Sequence, residues 1–180
     1  MSKILSKLDF PRGPEMKNRF MLAPLTNSQS HEDGKMSNEE FHWLTMRAKG
    51  GFGLTMTCAS HVQFIGKGFP GQMGVFSDDH LEGLTRLADE INSFDSISIV
   101  QLHHAGMRSP KELIGENPVC PSNNDEFSAR ALSLDEVKTL RDDFIAGAVR
   151  SEKAGFHGVE LHGACLLYTS PIPRDEKVSR

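Results

Sequence analysis

The segment Ile97-Ser98-Ile99-Val100-Gln101-Leu102-His103-His104-Ala105-Gly106 is an apolar run that gives way, within two residues, to an amide, two imidazoles and a glycine. A buried strand that ends in this way delivers polar groups to its carboxyl end. The same transition occurs at Met21-Leu22-Ala23-Pro24-Leu25-Thr26, at Leu54-Thr55-Met56-Thr57-Cys58-Ala59-Ser60 and at Val159-Glu160-Leu161-His162-Gly163. Four such ends predict one shared site.

Between the runs lie segments of helical period. Ser37-Asn38-Glu39-Glu40 is a capping-box pattern, in which Ser37 and Glu40 can satisfy free backbone amides, and it is followed by Phe41, Leu44 and Ala48. Ser77-Asp78-Asp79 precedes Leu81, Leu84, Leu87, Ala88 and Ile91, placing carboxylates at the positive end of a helix dipole. A second capping box, Ser133-Leu134-Asp135-Glu136, opens a helix expected to carry Leu134, Val137, Leu140, Phe144, Ile145 and Ala148 on one face. Apolar run, capped helix, apolar run, with no two-residue hairpin turn between, predicts parallel strands joined by helical crossovers. The fold class is α/β, and in such folds polar residues just after a strand face the ligand.

Two loops following strand ends, Val62 to Phe76 and Met107 to Leu132, are long enough to cover a site. The first twenty residues, with Pro11, Gly13 and Pro14, are expected to form a small cap below the strands. With 24% charged residues and a formal net charge of -4, the chain has no electrostatic footprint for nucleic acid or an anionic membrane surface. No stretch approaches the roughly 18 consecutive apolar residues of a membrane span. The amino terminus lacks the continuous apolar stretch of a secretory signal, so the cytoplasm is expected. Cys58, Cys120 and Cys165 fit neither a disulfide framework nor a structural zinc spacing and are read as reduced thiols.

Gln101 suits an amide-like ligand edge, whereas His103, His104 and His162 can donate to an oxyanion or bind a metal. Strand alternation puts Gln101 and His103 on one face and Leu102 and His104 on the other. One or both of the paired histidines can instead bond nearby carbonyls and simply support the loop. Thr26 can cap a turn, and Ala59 can be a tight packing position. Gly71 and Gly74 suggest a phosphate cradle, but no G-x-G-x-x-G follows a strand and opens a helix, which argues against a dinucleotide-binding reading.

Taken together, Asn18-Arg19-Phe20-Met21-Leu22-Ala23-Pro24-Leu25-Thr26, Cys58-Ala59-Ser60, Gln101-Leu102-His103-His104-Ala105-Gly106 and Ala154-Gly155-Phe156-His157-Gly158-Val159-Glu160-Leu161-His162-Gly163-Ala164 closely resemble the old yellow enzyme family of FMN-dependent oxidoreductases. The resemblance implies a TIM barrel holding FMN at its carboxyl face, reduced by NAD(P)H and reoxidised by a small electron-poor alkene such as an α,β-unsaturated carbonyl. It implies that Ala23, Pro24, Leu25 and Ala59 meet the flavin ring largely through backbone. Thr26 would bond near the flavin O4, Gln101 the pyrimidine edge, and His162 the substrate's carbonyl oxygen as the catalytic residue.

Residues 1–164 are accordingly expected to be the N-terminal part of the barrel, about four parallel βα units. The family continues with a His or Asn three residues after the histidine and a Tyr two beyond, where this chain has Cys165 and Leu167, with Tyr168 one position off. Residues 165–180 are read as a non-family tail of the kind a sequencing or assembly artefact leaves. A full barrel needs on the order of 250 residues. The missing half would carry the flavin-contacting arginine and the phosphate loops, so poor flavin retention and little turnover are expected. Two open sheet edges predict self-association, a homo-oligomer included. Two rival readings are a metal-dependent hydrolase barrel using His103 or His104, His162 and a carboxylate, and a non-catalytic fragment.

Overall fold

A computed structural model describes residues 3–163. The order is β1 (Met21–Leu22), α1 (Asn38–Lys49), β2 (Leu54–His61), α2 (Leu81–Ser93), β3 (Ile97–His103), α3 (Lys111–Ile114), β4 (Val119–Cys120), β5 (Arg130–Ala131), α4 (Leu134–Lys153) and β6 (Gly158–Leu161). Strands β1, β2, β3 and β6 lie side by side in that order, every pair parallel, with α1, α2 and α4 as the crossovers. β4 and β5 form a separate two-stranded ladder within the loop after β3. The expected α/β succession of about four parallel units is what the chain adopts.

The core lies between the sheet and its helices. Val100 and Leu102 on the outer face of β3 pack in one cluster with Leu44 and Ala48 of α1 and with Leu84, Leu87, Ala88 and Ile91 of α2. Burying a leucine-sized side chain is worth about 2 kcal/mol, so this cluster fixes which face of each strand points inward. Ile99, Gln101 and His103 then project from the opposite, inner face. β2 is buried along nearly its whole length, as the lack of polar alternation predicts. Its register slips against β3 between Met56 and Ala59, a bulge. The hydroxyl of Thr57 accepts the Gln101 amide there, at 3.2 Å.

Two helical expectations are corrected. Ser133 and Glu136 form the reciprocal capping box at α4, but at α1 only half of the box exists. Ser37 accepts the Glu40 amide, while the Glu40 side chain turns inward and is wholly buried. A set of inward-facing donors outcompetes the helix terminus for that carboxyl group. Along α4, Leu140, Phe144 and Ala148 meet the core, yet Leu134, Val137 and Ile145 are exposed. Its apolar residues form two stripes rather than one face, and the second is exposed among the described residues. Among the described residues no strand pairs with the far edge of β6, whose Leu161 is 65% exposed.

The amino-terminal segment does form a cap, closed by an antiparallel bridge between Leu8 and Met16. Asn18 donates to the Gly51 carbonyl at 2.8 Å and Lys17 to that of Phe94, both at the amino ends of strands. The cap therefore sits at the end opposite the polar strand termini. Cys165, Leu167, Tyr168 and the expected tail lie outside the described residues.

Candidate active site

At the carboxyl ends of the strands the register aligns Ala59, Gln101 and Glu160 across β2, β3 and β6. Just beyond them is a cavity of about 350 Å³ whose walls include Thr26, Ala59, Gly68, His103, Arg108 and His162. Thr26 follows β1, Ala59 lies two residues before the end of β2, His103 ends β3 and His162 follows β6, so four strand ends converge on one space. The convergence predicted from the four apolar-to-polar transitions is present.

The site residues named from sequence fall into three groups. Thr26, Ala59 and His162 line the cavity directly. Gln101 lies beneath it, 5% exposed, donating to Oε1 of Glu160 at 2.6 Å. Ala23, Pro24 and Leu25 sit on the loop leading to Thr26 and do not line the cavity. Glu160, the carboxylate nearest to a metal reading, is tied to Gln101. Among the described residues, no three His, Cys, Asp or Glu side chains are grouped to hold a metal ion.

The paired histidines part company as alternation requires. His104 projects to the outer face, where Nδ1 accepts the Gly106 amide at 3.0 Å and Nε2 bonds Oε1 of Gln63 at 3.2 Å. It also borders the cavity, but with both nitrogens engaged it supports the loop. His103 faces inward, with its ring centroid 5.0 Å from that of His162. Burial pulls both His103 and His104 down to about 4, so each is neutral at pH 7. The neighbouring His162 and His104 push His103 the same way.

Sequence reasoning missed Gln72. It is fully buried in the loop between β2 and α2, accepts the Gly68 amide at 2.7 Å and donates to the Ala59 carbonyl at 2.8 Å. One glutamine thereby ties the loop to the end of β2. The expectation that this loop covers the site holds, since Gly68 and Phe69 form a wall. The loop after β3 contributes Arg108 to the rim. Nothing local marks Gln72 in the sequence, because its partners are backbone groups brought there by the fold.

The family model of NADH:flavin oxidoreductase / NADH oxidase matches residues 10–166. The chain belongs to this family. It is 37% identical over 159 residues to the probable NADH-dependent flavin oxidoreductase YqiG of Bacillus subtilis, covering 86% of this chain and 42% of that protein. It is 34% identical over 168 residues to the NADH:fumarate oxidoreductase of Klebsiella pneumoniae, covering 90% of this chain and 18% of that protein. The old yellow enzyme homologue from Zymomonas mobilis superposes with a TM-score of 0.83 at 28% identity, over 90% of this chain and 48% of that one. The four parallel strands are thus the N-terminal half of a TIM barrel, and this family member spans less than half the length of these relatives. The family's cofactors are FMN and NAD(P)H, as the resemblance implies.

The residues present suit one side of a flavin. Ala59, Gly68 and Ala105 give the cavity small walls that a flat ring can approach. The Thr26 hydroxyl has no hydrogen-bond partner among the described residues, and Gln101 keeps Oε1 and one N–H free beyond its bond to Glu160.

Proposed function

We propose that the chain is the N-terminal portion of an FMN-dependent oxidoreductase that uses NAD(P)H to reduce activated alkenes such as α,β-unsaturated carbonyls. The observation that carries this reading is the convergence of Thr26, Ala59 and His162 on one cavity at the carboxyl end of a parallel sheet. The Klebsiella pneumoniae relative is named for fumarate, itself an electron-poor alkene. FMN, when bound, supplies hydride transfer, chemistry that no side chain here can perform.

The roles of the protein groups follow from their donors. Thr26 offers its hydroxyl to the flavin carbonyl edge. Ala23, Pro24, Leu25 and Ala59 offer backbone and small surface, and Gln101 offers an amide to the pyrimidine edge. An N–H of His162 donates to the substrate's carbonyl oxygen and stabilises the negative charge that grows there as the alkene is reduced. The loop from Val62 to Phe76 shields the site from water.

The test is NAD(P)H oxidation by the chain with added FMN and cyclohex-2-enone. We expect slow turnover that needs both, and a further loss of about a hundredfold in kcat/KM for His162→Leu. Hydrolysis of an ester or amide substrate that survives flavin removal but is lost to a chelator would favour a metal hydrolase instead. We further propose that the 180-residue chain retains FMN poorly by itself and self-associates through the open β6 edge. A purified monomer with a stoichiometric yellow chromophore at about 450 nm would overturn both.

A further inference from the structure

Three hydrogen bonds at Gln72 fix where the protons of His103 lie. The Gly68 amide can only donate, so the atom facing it at 2.7 Å is the amide oxygen of Gln72. The Ala59 carbonyl can only accept, which independently assigns Nε2 to the other side at 2.8 Å. That same Nε2 lies 3.1 Å from Nδ1 of His103. An amide nitrogen cannot accept, so Nδ1 of His103 is the acceptor and bears no proton. The neutral ring must therefore carry its proton on Nε2.

Nε2 of His103 has no hydrogen-bond partner among the described residues, and His103 lines the same cavity as His162. A fully buried glutamine, held by two backbone groups, thus orients an imidazole so that its only N–H is free at the site wall. Two donors sharing one acceptor at about 2.9 Å each lie no more than about 5.8 Å apart. The ring centroids of His103 and His162 stand 5.0 Å apart, inside that span.

We infer that His103 is a second donor to the substrate's carbonyl oxygen, acting beside His162 and locked in its Nε2–H tautomer by Gln72. This rests on the reading of the cavity as a carbonyl-binding site and adds a residue that directly touches substrate. Gln72 is a positioning residue, acting only through His103. A carbonyl oxygen held by two N–H groups from one side is oriented in direction as well as place, which favours substrates with an unhindered carbonyl.

The experiment is nitrogen NMR of the full chain labelled at histidine, at pH 7 with FMN in excess, titrated with cyclohex-2-enone. The His103 signals are assigned from His103→Leu. Before enone is added, we expect an unprotonated Nδ1 and a protonated Nε2 on His103. A proton on Nδ1 overturns the proposal at once. On titration the ring signals of His103 and His162 should move together with one dissociation constant, and His103→Leu should weaken binding about threefold to tenfold. Movement of His162 alone overturns the role of His103 and leaves the proposed function standing. If neither moves, the carbonyl-site reading falls and takes this proposal with it.

Discussion

Sγ of Cys58 lies 3.2 Å from Oε1 of Glu40, both side chains wholly enclosed between β2 and α1. The thiol donates, the carboxyl accepts, and two further donors complete the cluster: Nδ2 of Asn27 at 3.2 Å and the hydroxyl of Ser30. Asn27 adjoins Thr26, so this buried carboxyl group anchors the loop that leads from β1 into the cavity. Replacing Glu40 by Ala strands two buried donors, Cys58 and Ser30, each costing about 1–3 kcal/mol, and the half-buried Asn27. We expect Glu40→Ala to lower stability by about 2 kcal/mol or more in urea unfolding, and Glu40→Gln by less. A loss under about 1 kcal/mol for Glu40→Ala would show that the loop is held by other means.

The same pair predicts an inert cysteine. Burial first, and then the adjacent Glu40, push the Cys58 thiol well above its ordinary range. Native protein treated with iodoacetamide at pH 8 and mapped by mass spectrometry should be unmodified at Cys58. Modification should follow denaturation, and rapid alkylation of the native chain would contradict the enclosure.

Acid should unfold the chain through its histidines. His61, like His103 and His104, is held down to about 4 by burial, against about 6.5 in an unfolded chain. Between those values the unfolded state binds more protons, so stability rises with pH. The contribution of the neutral rings is complete above about 6.5 and is lost as pH falls to about 4. Potentiometry should find an uptake of up to three protons on unfolding near pH 5. No uptake there would mean that these rings titrate normally in the folded chain.

Gly71 adopts a φ of +66°, and a Cβ built on it would stand 2.4 Å from the carbonyl oxygen of Ser28. Gly13 also has a positive φ but nothing within 4 Å. Gly13→Ala should cost about 1 kcal/mol from backbone strain alone. Gly71→Ala should cost more than about 2 kcal/mol, because the strain adds to a backbone clash with the loop that carries Thr26. Equal losses in thermal unfolding would remove the clash from the account.

Local sequence was enough to set the succession of elements and the end of the sheet at which chemistry gathers. Long-range packing was not needed to see that Gln101 and His103 share a face, that Ser133 and Glu136 cap α4, or that Ala59 and His162 follow apolar runs, because each follows from local periodicity or hydrogen-bonding chemistry. Which polar residues serve each other depended on the packing of distant segments. Glu40 left its expected cap because Asn27, Ser30 and Cys58 come from other segments, and Gln72 found His103 across 31 positions of chain. α4 divides its apolar residues between the sheet and an open side for the same reason. A sequence displays the donors and acceptors that a segment carries, but their pairing is settled by which segments the packed core forces side by side.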